Sequence, residues 1–170
     1  MKRWGPLLAV VLILFFLGGC AVENRVVAKK AWDAQPSKVA VVGEVNTDQA
    51  DAKRFKDYLV KDIEIWMKLY KHEISGEPDV RLTVTVDQLD PGNRWLRWLA
   101  GIFGAGHGSC KGTVSVRKGG VLVGEYEYAG IQRGGTFGGT IKNMSNDVAL
   151  GIARKITKQK FDEALFEAKK

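Results

Sequence analysis

The stretch VRLTVTVD at residues 80–87 decides the fold, because it alternates between aliphatic and polar side chains without a break. Its four aliphatic side chains share one face, and Arg81, Thr83, Thr85 and Asp87 share the other. Strict alternation of this kind is typical of a strand that is buried on one face and solvated on the other. The stretch therefore predicts a half-buried strand.

A strand and a helix are predicted on the amino-terminal side of this stretch. Residues 39–45 (VAVVGEV) form a β-rich run that indicates a first strand. Asn46 or Thr47 can cap the helix that follows, and we expect that helix to end near Ser75-Gly76. Its apolar residues recur at three- and four-residue steps and form one stripe, which comprises Phe55, Leu59, Ile63, Trp66, Met67 and Tyr70.

A hairpin and a second helix are predicted on the carboxyl-terminal side. Two strands, at about residues 109–117 and 121–131, are joined through Gly119-Gly120, which permits the positive φ of a tight turn. A long helix is expected from about Ser145. The order β-α-β-β-β-α predicts an α/β (α+β) domain with a mixed four-stranded sheet and two long helices packed on one face.

The amino terminus carries the pattern of a secretory signal. Lys2 and Arg3 precede an apolar run over residues 7–17, and small residues follow at 18 and 19. The run is shorter than the roughly 20 apolar residues that a membrane-spanning helix needs. The pattern therefore favours a removable signal over a membrane span.

The residues Leu17-Gly18-Gly19-Cys20 resemble the lipobox of bacterial lipoproteins. That resemblance implies cleavage before Cys20, a diacylglycerol on its thiol and an N-acyl lipid on the freed amine, with no other cofactor. More than one lipid chain gives stable attachment to a membrane. Ala21 and Val22 follow the cysteine where an Asp would resemble an inner-membrane retention signal, which favours the outer membrane, facing the periplasm.

This interpretation divides the chain into three parts. Residues 1–19 are the expected lipoprotein signal peptide, residues 20–38 a lipidated tether, and residues 39–170 a single periplasmic domain. Cys110 is then the one remaining thiol, and its place in an alternating strand predicts burial. The formal net charge of +7 is spread along the chain without the basic stripe of a nucleic-acid reader, so no nucleic acid is expected.

The segment at residues 91–108 is the most unusual part of the mature chain. Trp95 and Trp98 share a face at helical spacing, with arginines beside them, and this pairing is typical of lipid interfaces and protein contact sites. The segment is either a docking element for a membrane or partner protein, or a short buried helix that closes one end of the sheet. The candidate contact residues are Arg94, Trp95, Arg97, Trp98 and Phe103.

No catalytic or metal-binding pattern stands out in the sequence. Adjacency of His107, Ser109 and Cys110 along one strand does not place a base against a nucleophile, and two histidines with one thiol make no metal-ligand set. An enzyme is not expected, and an envelope hydrolase that uses these residues is a remote alternative. A second alternative is a binding module for an apolar or glycan ligand on the sheet near Tyr126 and Tyr128.

The lipobox, the strand at 80–86 and the stretch from Gly92-Asn93-Arg94-Trp95 to Gly101–Gly106 resemble an uncharacterised family of bacterial lipoproteins defined as a domain of unknown function. The order of elements also resembles the curli-secretion lipoprotein, the amino-terminal domain of TolB and the lipoprotein activators of penicillin-binding proteins. These resemblances imply a non-catalytic protein that acts by contact with an envelope protein in cell-envelope assembly or maintenance.

Overall fold

A computed structural model describes residues 22–32, 38–93, 96, 106–132 and 140–158. Within these ranges the chain forms six strands and two helices. The strands are β1 (Val22–Lys30), β2 (Lys38–Val45), β3 (Glu73–Ile74), β4 (Val80–Asp90), β5 (Gly108–Lys118) and β6 (Val121–Gln132). The helices are α1 (Ala50–Leu69), between β2 and β3, and α2 (Ile141–Thr157), after β6.

The six strands form one mixed sheet in the order β1-β6-β5-β4-β2-β3. The neighbours β1, β6, β5 and β4 pair antiparallel, whereas β4, β2 and β3 pair parallel. The α1 helix provides the crossover between the parallel strands β2 and β4. The predicted α+β class with a mixed sheet and two helices is confirmed, but the expected count of four strands is wrong.

The first additional strand is β1, which lies inside the predicted tether of residues 20–38. It pairs with β6 from Val22 opposite Gln132 to Lys30 opposite Glu125, with a bulge near its end. The local alternation of polar and apolar residues is weak here because the polar Asn24 occupies the helix-facing side. Its side-chain amide donates a hydrogen bond of 2.9 Å to the carbonyl oxygen of Asp147. The contacts that hold β1 come from distant parts of the chain, which a local pattern does not show.

The second additional strand is β3, which follows an earlier helix end than expected. The α1 helix ends at Leu69, not near Ser75-Gly76, and Lys71 then adopts a left-handed φ of 64°. This turn leads the chain directly into Glu73–Ile74, which pairs parallel with the start of β2. The polar sequence after the apolar stripe therefore contains an edge strand.

Both helices also begin at residues other than those predicted. The α1 helix begins at Ala50 after Gln49, which makes no side-chain cap bond, and the Asn46 amide instead donates 2.7 Å to Asp87 Oδ1. The α2 helix begins at Ile141, four residues before the predicted start at Ser145, and Thr140 Oγ1 accepts a 3.4 Å hydrogen bond from the backbone N–H of Asn143.

The two helices pack on the same face of the sheet and on each other. The Ser145 hydroxyl of α2 donates to the Asp62 carboxylate of α1, and the Trp66 indole donates 3.2 Å to Asn146 Oδ1. Between helices and sheet lies one continuous apolar core. Its largest fully buried apolar side chains are Phe55, Leu59, Ile63, Met67, Leu82, Leu89, Tyr126, Met144, Ile152 and Ile156.

The predicted hairpin is confirmed, and its centre is held by an unusually close contact. Gly119 and Gly120 form the two-residue turn with φ of 55° and 84°, as a tight hairpin requires. Tyr128 of β6 crosses over Gly112 of β5, and its hydroxyl donates 3.0 Å to the Thr85 carbonyl oxygen of β4. Three strands are thereby joined at a point where a side chain on residue 112 has no room.

Gly112→Ala is expected to lower the free energy of unfolding by about 1–3 kcal/mol, the usual cost of overpacking a filled site. A Cβ at this position would lie 2.5 Å from Tyr128 Cζ and press on the Thr85 carbonyl oxygen. Urea denaturation measures the change. Gly76→Ala is the control, since no atom lies within 4 Å of its added Cβ. Equal stability of the two variants would contradict the crossing of Tyr128 over Gly112.

Candidate contact surface

The sheet face opposite the helices, here named the open face, is covered by no helix or strand in the described ranges. The alternation of β4 decides which side chains reach it. Leu82, Val84 and the other aliphatic residues of that strand are buried under the helices, whereas Arg81 and Asp87 are exposed on the open face. The open face therefore presents the polar half of the stretch from which the half-buried strand was predicted.

Strand register aligns four residues in one row across the middle of the open face. Arg25 of β1 is opposite Ala129 of β6, Ala129 is opposite Lys111 of β5, and Lys111 is opposite Gln88 of β4. A β-bulge between Val86 and Gln88 shifts the register of β4 beside this row. The row therefore places one basic side chain on each side of Ala129, namely Arg25 on one side and Lys111 on the other.

The charged groups around this row differ in how they are engaged. Lys29 Nζ lies 2.7 Å from Glu127 Oε1, and the pKa of Lys29 is raised, chiefly by this hydrogen bond and by the charge of Glu127. Asp87 Oδ1 accepts the bond from Asn46. In the described part of the chain, Arg25 and Lys111 form neither an ion pair nor a side-chain hydrogen bond. Their positive charges are thus available to a ligand.

A shallow depression of about 700 Å³ lies over this part of the open face. Its small floor residues are Gly112 and Ala129, and it is bordered by both basic residues of the row. The remaining lining residues are Val27, Asp87, Gln88, Thr113, Glu127 and Tyr128. The depression offers cationic, anionic, amide and hydroxyl groups together.

The predicted lipid site and contact residues lie outside the described residues, namely Cys20, Arg94, Trp95, Arg97, Trp98 and Phe103. The ends of the described strands nevertheless show where the chain leaves the sheet after β4 and where it returns to the sheet at β5. Val22 is opposite Gln132, which is opposite Gly108, and Ser109 is opposite Asp90. The start of β1, the end of β4 and the start of β5 therefore meet at one end of the sheet.

The residues of the remote hydrolase alternative are not brought together on one side of the sheet. Ser109 and Cys110 are consecutive in β5, so their side chains point to opposite faces. Cys110 is 1% exposed beneath α2, and burial raises the pKa of its thiol to about 12. The burial predicted for Cys110 is confirmed, and a thiol with so high a pKa is a poor nucleophile near neutral pH.

The two tyrosines of the ligand-binding alternative also lie on the helix side of β6. Tyr126 and Tyr128 are both 2% exposed, and the Tyr126 hydroxyl accepts a 3.0 Å bond from the Trp32 amide. Burial raises the pKa of Tyr128. A ligand on the sheet would therefore meet the open face rather than these rings, a distinction that alternation along β6 alone did not make.

Within the described ranges, no group of three His, Cys, Asp or Glu side chains could hold a metal ion. The described helices include none with the length and apolarity needed to cross a membrane.

Comparison with known proteins shows a likeness of fold without a likeness of sequence. No family model and no curated protein matches the chain. A PelC dodecamer from Paraburkholderia phytofirmans is similar in structure, with a TM-score of 0.52 and 13% identity, over 82% of this chain and 100% of that one. A variant PelC dodecamer from the same organism gives a TM-score of 0.51 and 14% identity, over 81% and 98% of the two chains.

A PDZ domain protein from Parabacteroides distasonis has a lower TM-score of 0.42 at 9% identity, over 91% of this chain and 40% of that one. At these identities, the likeness to PelC shows that the two chains share a fold.

The stability of the wild type is expected to fall more steeply than that of Cys110→Ala as the pH rises above about 9. The pKa of the Cys110 thiol is raised from 9.0 to about 12 on folding. The stabilising contribution of the buried, protonated Cys110 thiol is therefore complete below the pKa of the unfolded state. It is lost as the pH rises toward the pKa of the folded state. Near pH 10 the slopes should differ by about 1 kcal/mol per pH unit.

Urea denaturation at several pH values measures both slopes. Tyr128 is present in both proteins, and the raised pKa of its phenol, caused chiefly by burial, adds to the fall in stability of each. Parallel stability curves from about pH 8 to pH 10.5 would contradict the burial of the Cys110 thiol.

Proposed function

We propose that this chain is a lipid-anchored protein of the bacterial cell envelope that acts, without catalysis, by contact with another envelope protein. Its anchor is the lipidated Cys20, and its location is the outer membrane, facing the periplasm. The proposed contact residues are Arg94, Trp95, Arg97, Trp98 and Phe103, and the end of the sheet nearest the anchor is the part of the described structure proposed to act with them. The meeting of three strand ends at this end of the sheet is the observation that carries the proposal.

The strand register gives this proposal its geometry. Cys20 precedes Val22 by two residues, which span at most about 7 Å of extended chain. Val22 and Gly108 lie two strand spacings apart, or about 10 Å. Asn93 and Gly106 flank the segment at residues 94–105. Asn93 follows Asp90 by three residues, and Gly106 precedes Gly108 by two. Both residues are therefore close in sequence to the paired ends of β4 and β5. A lipid on Cys20 would therefore hold the segment close to the membrane surface.

The composition of the segment supports contact rather than chemistry. It contains Trp95, Trp98 and Phe103 together with Arg94 and Arg97, and tryptophan and arginine are enriched among residues that dominate protein interfaces. A segment held beside a membrane and rich in these residues suits a partner that is itself in or on the membrane. This supports an envelope protein as the partner.

Another copy of the chain is a second candidate partner. The similar PelC proteins are described as dodecamers. In the sheet described here, β1 lies at one edge, and edge strands expose unpaired backbone groups that another chain can join. Light scattering of the detergent-solubilised full chain distinguishes self-assembly from contact with a different protein.

Double replacement of Trp95 and Trp98 by Ala is expected to leave the domain folded and to abolish crosslinks to envelope proteins in membranes. The matched control is Ile65→Ala with Leu69→Ala, which shortens two side chains of α1 that are 47% and 46% exposed. The readouts are a melting curve and mass spectrometry of crosslinked membranes. An Arg94→Ala, Arg97→Ala variant tests the same segment through charges that core packing does not require.

Three results would contradict the proposal. Unfolding of the Trp95, Trp98 variant together with unchanged crosslinks in the arginine variant would show that the segment is core. Unchanged crosslinks in both variants would show that the contact lies elsewhere. An intact mass without lipid on the wild type, equal to that of Cys20→Ser apart from the substitution, would remove the anchor.

A further inference from the structure

We infer that the open face carries a binding site for a carboxylate-bearing saccharide, whose carboxylate lies between Arg25 and Lys111 above Ala129. This site goes beyond the proposed contact function. It lies on the face of the sheet, whereas the proposed contact surface lies at one end, and neither depends on the other.

The spacing of the row suits one carboxylate between two cations. Arg25 and Lys111 occupy strands on either side of β6, so their Cα atoms are two strand spacings, or about 10 Å, apart. Both side chains are long enough to lean inward, and the methyl group of Ala129 between them leaves the space above the sheet empty. A guanidinium can bind a carboxylate with two parallel hydrogen bonds, and an ammonium adds a third donor.

The state of the charges in the depression favours an anion at this point. Glu127 is already paired with Lys29 at 2.7 Å, so its charge is compensated. Arg25 and Lys111 have no such partner in the described chain and are exposed. A bound carboxylate would meet two uncompensated cations without displacing an existing ion pair.

The neighbouring groups point to a ligand that also carries hydroxyl groups. Asp87 lines the same depression and can accept hydrogen bonds from sugar hydroxyls, although it would repel a ligand composed of anions alone. Gln88 and Thr113 add groups that both donate and accept. The depression thus combines cations that can bind a carboxylate with acceptors that can bind hydroxyl groups. An acidic sugar carries both of these functional groups.

The shape and polarity of the face favour a segment of polymer over an enclosed small molecule or a protein surface. Small ligands are usually buried in deep clefts, whereas this depression is shallow and open along the sheet. Protein interfaces have an apolar, desolvated centre. Here the apolar residues Val27 and Ile131, each 40% exposed, lie in rows on either side of the Arg25–Lys111 row rather than within it.

Binding of polygalacturonate to the full-length protein in detergent tests this site. Isothermal titration is expected to show that Arg25→Ala with Lys111→Ala weakens binding about tenfold or more, as loss of charge-assisted hydrogen bonds implies. The control variant is Arg54→Ala with Lys61→Ala, which removes two exposed cations from α1 and should bind like the wild type. Ala129→Leu, which fills the space without a change of charge, should weaken binding by a similar factor.

Comparison polymers decide the chemical class. Dextran, which has no carboxylates, should not bind, and poly-L-glutamate should bind at least about tenfold more weakly than polygalacturonate because it has no hydroxyls for Asp87. Equal loss of binding in the α1 control would overturn the site. Equal or tighter binding of poly-L-glutamate would overturn the saccharide in favour of an acidic peptide, and no binding of polygalacturonate by the wild type would overturn the proposal.

Discussion

Burial of one face of the sheet under α1 and α2 determines where every other feature of the molecule can lie. The aliphatic side chains of β4, together with Tyr126, Tyr128 and Cys110, are all placed on the helix side. In a strand, successive side chains point to opposite faces, so this choice fixes which side chains reach the open face. The proposed site between Arg25 and Lys111 follows from this alternation, since both residues are paired with Ala129 in the row that faces away from the helices. The same burial raises the pKa of the Cys110 thiol.

The inclusion of β1 in the sheet links this architecture to the proposed anchoring. A flexible tether would allow the domain to take any orientation relative to a lipid on Cys20. A strand that pairs with β6 from Val22 onward instead fixes one end of the sheet within two residues of that cysteine. Under the proposed anchoring, the open face would run away from the membrane along the strands. Contact at one end and ligand binding on the face would thus be compatible in one molecule.

The sequence was sufficient where the signal is local and failed where the contacts are distant. Alternation at Val80–Val86 and the glycine pair at 119–120 predicted a half-buried strand and a hairpin correctly, because their patterns need no other part of the chain. The strand β1 was missed, since Asn24 finds its partner at Asp147, 123 residues away. The α1 helix ends early, at Leu69, and Glu73–Ile74 then pairs with β2, which no helical pattern reveals. Arg25 was not proposed as a site residue because its row forms only through the register of three strands.

Hydrogen–deuterium exchange of the backbone amides of residues 22–30, measured on the full chain in detergent, tests most directly whether the domain begins at the anchor. If β1 is part of the sheet, its amides directed toward β6 exchange slowly, with protection comparable to that of the paired amides of β5 and β6. Fast exchange throughout residues 22–30, with β5 and β6 protected, would show that this segment is a tether. The fixed placement of the sheet beside the lipid, and Arg25 as part of the saccharide site, would then both be wrong.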